Sequence, residues 1–149
     1  MKRWCVVIKY FILLSLAMSS MISANDGLTI EVSVDNLRDS KGVVQFALYN
    51  KEGTVPDEKY QKYYRKHVEK ISDNSSKTTF TGLKKGRYAI NVLHDENSNG
   101  KIDKGFILPI EGVGFSNYSS ISITNKVNFK KASFELNLDR KKAIKIIYF

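Results

Sequence analysis

The stretch HDENSNGKID, residues 94–103, sets oxygen-bearing side chains at alternate positions around one glycine. Carboxylate and amide oxygens on a bending chain are hard ligands, and calcium takes about six to eight of them in flexible geometry. Counting from Asp95, the first, third, fifth and ninth places hold Asp95, Asn97, Asn99 and Asp103. Gly100 at the sixth place permits a sharp turn, and the Lys101 carbonyl falls at the seventh, where such loops use backbone oxygen. Ile102 at the eighth is an aliphatic tie to a core.

The twelfth place, where a bidentate Glu would close a helix–loop–helix site, is Phe106, and no helical pattern flanks the loop. A domain of that kind is therefore excluded. Glu111 supplies the missing carboxylate if the segment after the loop folds back. The expected ligand set is Asp95, Asn97, Asn99, Lys101 through its carbonyl, Asp103 and Glu111, holding Ca²⁺ at roughly 0.1–1 mM, as extracellular modules do. Zinc is disfavoured, since the only cysteine is Cys5 and the two histidines, His67 and His94, are not paired in the sequence. A dry polar turn competes with the metal reading, because Asn99-Gly100 is a strong two-residue hairpin signal. Such a turn does not, however, require oxygens at Asp95, Asn97 and Asp103 as well.

The candidate catalytic constellations are His94 with Asp95 and Ser116, and Glu96 with Glu111. Neighbours on a strand point to opposite faces, so His94 and Asp95 do not share a pocket unless the strand ends between them. Ser116 lacks a strained nucleophile turn. No catalytic residue is assigned. A binding or envelope-associated module is the expected function, and a small extracytoplasmic hydrolase or modifying enzyme using His94 and nearby carboxylates is the alternative.

The elements that must position this loop read as strands. LTIEVSV alternates Ile30, Val32 and Val34 with polar residues, and GVVQFALYN sets Val44, Phe46 and Leu48 on one face, so the two are expected to pair as a hairpin. Residues 54–71 carry Tyr60, Tyr64, Val68 and Ile71 at helical spacing, which predicts a short helical or irregular insert. Its tyrosines and basic residues offer an alternative surface for a carbohydrate or anionic ligand. A long strand from Arg87 to His94 leads into the loop, with Tyr88, Ile90 and Val92 on its deep face. Leu83, Gly86 and Tyr88 have the form of a tyrosine corner, whose hydroxyl bonds back to nearby backbone. Later segments SISIT, ASFELNL and AIKIIYF are short and β-prone. The sum is an all-β, immunoglobulin-like or prealbumin-like β-sandwich of about seven strands.

Residues 1–24 place Lys2 and Arg3 before an apolar run that ends in small residues at Ser23 and Ala24, the pattern of a secretory signal peptide. The run is shorter than the ~20 residues of a membrane-spanning helix. One domain is expected over residues 25–149, free of disulfides because that part has no cysteine, with no transmembrane span after signal removal and a periplasmic or secreted location. The whole chain carries a net charge of +9; without the leader's Lys2, Arg3 and Lys9 it carries +6. No basic run interleaves with aromatics, so nucleic acid is not an expected partner, and an extracytoplasmic carbohydrate or protein ligand is.

The run YAINVLHDENSNGKID followed by PIEGVGFSN resembles the signature of a family of secreted bacterial proteins, domain of unknown function 2141. The family pattern is met at Gly86, Tyr88 and Ala89, through the loop at His94, Asp95, Asn97, Asn99, Gly100 and Asp103, and at Pro109, Glu111, Gly114, Phe115, Ser116 and Asn117. Leu108 departs from the glycine usual before the proline, which bears on the path from Asp103 to Glu111. The resemblance implies a bacterial, extracytoplasmic setting and no established activity.

Overall fold

The computed structural model describes residues 27–122 and 124–149, so the expected leader lies outside the described residues. The described residues are all-β: eight strands in two sheets and one helical turn. The smaller sheet has the order β4-β1-β8, from β1 (Leu28–Val34), β4 (Ser76–Leu83) and β8 (Arg140–Ala143). The larger runs β3-β2-β5-β6, from β2 (Val43–Tyr49), β3 (Arg65–Glu69), β5 (Gly86–Asp95) and β6 (Gly112–Phe115), and β7 (Phe134–Leu136) pairs with the start of β5. The helical turn α1 (Phe129–Ala132) is capped by Asn128, whose side chain accepts from the Lys131 N–H.

Alternation decides which side of each strand is buried. Ile30, Val32 and Val34 of β1 and Phe80 of β4 meet Val44, Phe46 and Leu48 of β2 and Tyr88, Ile90 and Val92 of β5 in one apolar cluster between the sheets. The reverse face of the larger sheet is buried too. There Ala47, Tyr49, Ala89, Leu93, Val113 and Phe115 are covered by Val55, Tyr60, Tyr118 and α1. β5 is therefore buried on both sides from Tyr88 to Asp95, and its end is a rigid platform. Tyr88 forms the expected corner, its hydroxyl donating to the Lys84 carbonyl at 2.9 Å.

Three expectations fail. β1 and β2 do not form a hairpin, because they belong to different sheets. Residues 35–42 cross between the layers, with Asn36 and Gly42 in the left-handed region at φ 58° and 69° and Leu37 buried as a plug. β2 is buried on both faces beyond its first residue and so needs two neighbours within the larger sheet, which a hairpin partner from the smaller one does not provide. Residues 54–71 form no helix: 54–64 are irregular, the other form expected of the insert, and a strand follows. Arg65–Glu69 instead satisfies the open edge of β2, a demand for backbone partners that outweighs side-chain spacing. Tyr60 is buried while Tyr64 and Val68 are exposed, so the four residues do not make one stripe. Finally, the strand expected at SISIT is not formed at residues 120–122, and the last strand falls at Arg140–Ala143, so that of AIKIIYF only Ala143 lies in a strand, with the Val113–Ile147 bridge beyond it.

Candidate metal-binding loop

Asp95 is the last residue of β5 and almost wholly buried, at 1% exposure. Its Oδ1 accepts the Asn99 N–H at 3.0 Å, and its Oδ2 accepts the Gly100 N–H at 2.8 Å and the Gln45 side-chain amide of β2 at 2.6 Å. The loop winds about this carboxylate. Asn97 Oδ1 accepts from the Asn99 N–H and Asn99 Oδ1 from the Lys101 N–H, both at 3.0 Å, which are the local side-chain-to-backbone turns that Asn favours. Ser98 and Gly100 take positive φ, 58° and 86°, where the chain reverses. Gly42 lies beneath: a Cβ there would stand 2.0 Å from the Asp95 carbonyl oxygen, closer than any real contact.

The side-chain ends converge. Asp103 Oδ2 accepts from the amide groups of Asn97 at 2.7 Å and Asn99 at 2.6 Å. Glu111, 3% exposed, folds back from the segment before β6. Its Oε1 accepts the Glu96 N–H and its Oε2 the Asp103 N–H, each at 3.1 Å. Four of the six expected ligand residues, Asp95, Asn97, Asn99 and Asp103, thus share one hydrogen-bonded loop, and Glu111 clamps its two ends. Lys101 is exposed and enters through its N–H.

Burial pushes the Glu111 carboxyl above its ordinary range, with the nearby Asp95 and Asp103 charges acting in the same direction against the two N–H donors. Among the described residues no Lys, Arg or His pairs with Asp95, Asp103 or Glu111; the ion pairs lie at other acids. Each carboxylate offers about four acceptor positions. Hydrogen bonds take three at Asp95 and two at Glu111, so both retain lone pairs. The buried Tyr60 hydroxyl has no partner and is raised well above its usual range by burial, then by the fields of Tyr49, Asp57, Asp95 and Glu111. The Ile102 N–H donates to the Glu58 carbonyl at 3.1 Å and ties the loop to that segment.

The expected donor set is all oxygen, three carboxylates, two amides and a carbonyl, a chemistry that suits a hard divalent cation and not zinc; here the Asn97 and Asn99 amide oxygens accept loop N–H groups and their NH2 groups face Asp103. A second cluster, Asp39, His94 and Glu96, holds ligand atoms within 4.8 Å of one another. It is chemically closed. His94 Nε2 lies 3.0 Å from the Lys41 carbonyl, which only accepts, so in the neutral ring Nε2 carries the proton and Nδ1 accepts from the Tyr148 hydroxyl at 2.7 Å. Glu96 is gripped by the Arg38 guanidinium at 2.5 and 2.7 Å. Ser116 is likewise engaged: its buried Oγ donates to the Ala132 carbonyl at 2.7 Å and accepts the Ile90 N–H at 2.9 Å. His94 and Ser116 thus have their polar atoms engaged within the fold.

Sequence reasoning missed Gln45, Tyr60 and Tyr148 as neighbours of these groups. Gln45 carried a signal, being the one polar side chain within VVQFALY. Tyr148 carried none, since 54 residues separate it from His94.

Among the described residues no helix is long and apolar enough to cross a membrane. A family model described as an uncharacterized protein conserved in bacteria, domain of unknown function 2141, matches residues 32–145. Neither the curated proteins nor the solved structures contain a match to the chain.

Proposed function

The chain belongs to this bacterial family, and we propose that it is an extracytoplasmic calcium-binding module, secreted or periplasmic, built on an immunoglobulin-like or prealbumin-like sandwich. The observation that carries the calcium reading is the pair of buried carboxylates, Asp95 and Glu111, that close one oxygen-lined loop without a cationic side chain. Buried charges are paired or bind metal, because desolvating an isolated carboxylate is costly. Ca²⁺ is the hard cation suited to the loop's mixed carboxylate, amide and carbonyl donors, whereas Mg²⁺ demands near-ideal octahedral geometry. The sequence of residues 1–24 supports export, and the lack of cysteine beyond it leaves metal and core packing to supply stability. In this reading calcium orders the end of β5 and the segment up to β6, and the module acts by binding an envelope component, a carbohydrate or a protein. A hydrolase acting through His94 is the weaker proposal, since both ring nitrogens already have partners.

Thermal unfolding followed by circular dichroism in EDTA, in millimolar Ca²⁺ and in equal Mg²⁺ tests it. Ligand at ten times its Kd adds about 1.4 kcal/mol, a rise of several degrees for a domain of this size. The expected result is a calcium-selective rise that Asp95→Ala abolishes. Equal melting in EDTA and Ca²⁺ overturns the reading and leaves the loop as a polar turn.

A further inference from the structure

Between the loop and Glu111 the chain makes a narrow finger, residues 103–110, reading DKGFILPI. Its base is fixed. The Ile110 N–H donates to the Asp103 carbonyl at 3.0 Å, Arg38 Nη2 donates to the Ile110 carbonyl at 3.1 Å, and Glu111 holds the Asp103 N–H. Higher up, Lys104 bridges to Pro109 and the Gly105 N–H donates to the Leu108 carbonyl at 2.9 Å. The tip is apolar and solvent-facing: Phe106 is 102% exposed, Ile107 72%, Leu108 52% and Ile110 56%. Among the described residues, four of the nine exposed large hydrophobics thus sit within five positions, and Ile107 and Leu108 also form one wall of a groove whose floor includes Val113 and Phe115. Scattered exposed apolar residues need no explanation, but a braced cluster marks a docking surface.

Charge says what covers it. Lys101 lies just before the finger and Lys126 lines the groove at its base, and neither has an acidic partner among the described ion pairs; Lys104, in the same groove, is paired with Glu58. The chain is basic, +9 in full and +6 without residues 1–24. An apolar prong flanked by lysines on a cationic protein matches a negatively charged bilayer, where apolar side chains enter the boundary region and lysines meet the headgroups.

We propose that residues 103–110 are a membrane-docking finger, which inserts Phe106, Ile107 and Leu108 into the surface of an anionic lipid bilayer while Lys101 and Lys126 face its headgroups. Insertion is shallow, because the backbone N–H groups of the tip still need water or headgroup acceptors. This goes beyond the calcium reading and does not depend on it.

The test uses a local probe in the full chain. Trp4 is the sole tryptophan, so Trp4→Phe with Phe106→Trp places one indole at the tip, and Trp4→Phe with Leu138→Trp places it on an exposed site just after β7, which pairs with β5 at the end opposite the loop. Both are mixed in EDTA with vesicles of phosphatidylcholine alone and of phosphatidylcholine with phosphatidylglycerol. The expected result is a blue shift, and quenching by brominated acyl chains, for the Phe106→Trp chain with the anionic vesicles only, weakened by salt. Lys101→Glu with Lys126→Glu is expected to raise the lipid needed for half the shift by about tenfold or more. The absence of a shift, or equal shifts at both probe positions, overturns the proposal. A shift produced by raising the protein concentration without vesicles also overturns it, in favour of a second copy as the occupant.

Discussion

Glu111 and Asp103 are joined side chain to backbone: Glu111 Oε2 accepts the Asp103 N–H at 3.1 Å, while Oε1 accepts the Glu96 N–H at the same distance. One buried carboxylate therefore ties together the two ends of the loop.

Glu111→Gln separates the two duties of that group. It removes a buried charge and keeps one acceptor, so metal-free stability is expected to change little, within about 1 kcal/mol. The calcium-dependent rise in melting temperature should vanish. Glu111→Ala leaves both N–H groups unpaired and should cost about 1–3 kcal/mol even in EDTA. Denaturant unfolding with and without Ca²⁺ reads both.

Gln45 acts on the loop from a neighbouring strand, through its 2.6 Å hydrogen bond to Asp95 Oδ2. Gln45→Leu keeps the burial and removes the donor. Such supporting contacts to ligands typically tune metal affinity by about tenfold or more, so calorimetry should show calcium binding weakened by roughly that factor with the fold retained.

Much of the larger sheet was legible, because Val44, Phe46 and Leu48, and Tyr88, Ile90 and Val92, alternate with a period of two. The loop was legible for a different reason: Asp95 to Asp103 is contiguous, and its turns are made by its own side chains. Residues 54–71 were misread because helical spacing is a local signal, whereas Arg65–Glu69 is extended by the open edge of β2 some twenty residues away. The hairpin failed for a like cause. Nothing within LTIEVSV or GVVQFALYN states that each is required by a different sheet.

The Tyr148 hydroxyl, 2.7 Å from His94 Nδ1 and accepting the Arg38 N–H at 3.2 Å, fastens the end of the chain to β5. Tyr148→Phe should cost about 1–3 kcal/mol by leaving a buried imidazole nitrogen unpaired. Burial raises the Tyr148 hydroxyl above its ordinary 10.0. The fold therefore binds this proton more tightly than the unfolded chain does, and the stability it contributes is complete below about pH 10 and lost as pH rises through the raised value. Unfolding measured from pH 8 to 12 should show a steeper alkaline decline in the wild type than in Tyr148→Phe.

Gly112 leaves room for the same segment. A Cβ at this position would lie 2.3 Å from Tyr148 Cε1 and 2.5 Å from Ile146 Cγ2. Gly112→Ala is expected to destabilise the protein by about 1–3 kcal/mol through overpacking. Because the displaced groups belong to the chain end, exchange of the Ile147 amide, which donates to the Val113 carbonyl at 2.8 Å, should quicken more than that of the β2 amides.

The parallel pairing of β1 with β8, Ile30 opposite Arg140 through Ser33 opposite Ala143, governs the order in which this molecule is made. A growing chain emerges with β1 early, yet one flank of that strand waits for residues near the opposite terminus. Loop closure over so long a stretch is slow, and until it happens β1 carries an open edge able to pair with another chain. Residues 140–143 thus act as a timer: the smaller sheet stays unfinished at β1 until they arrive.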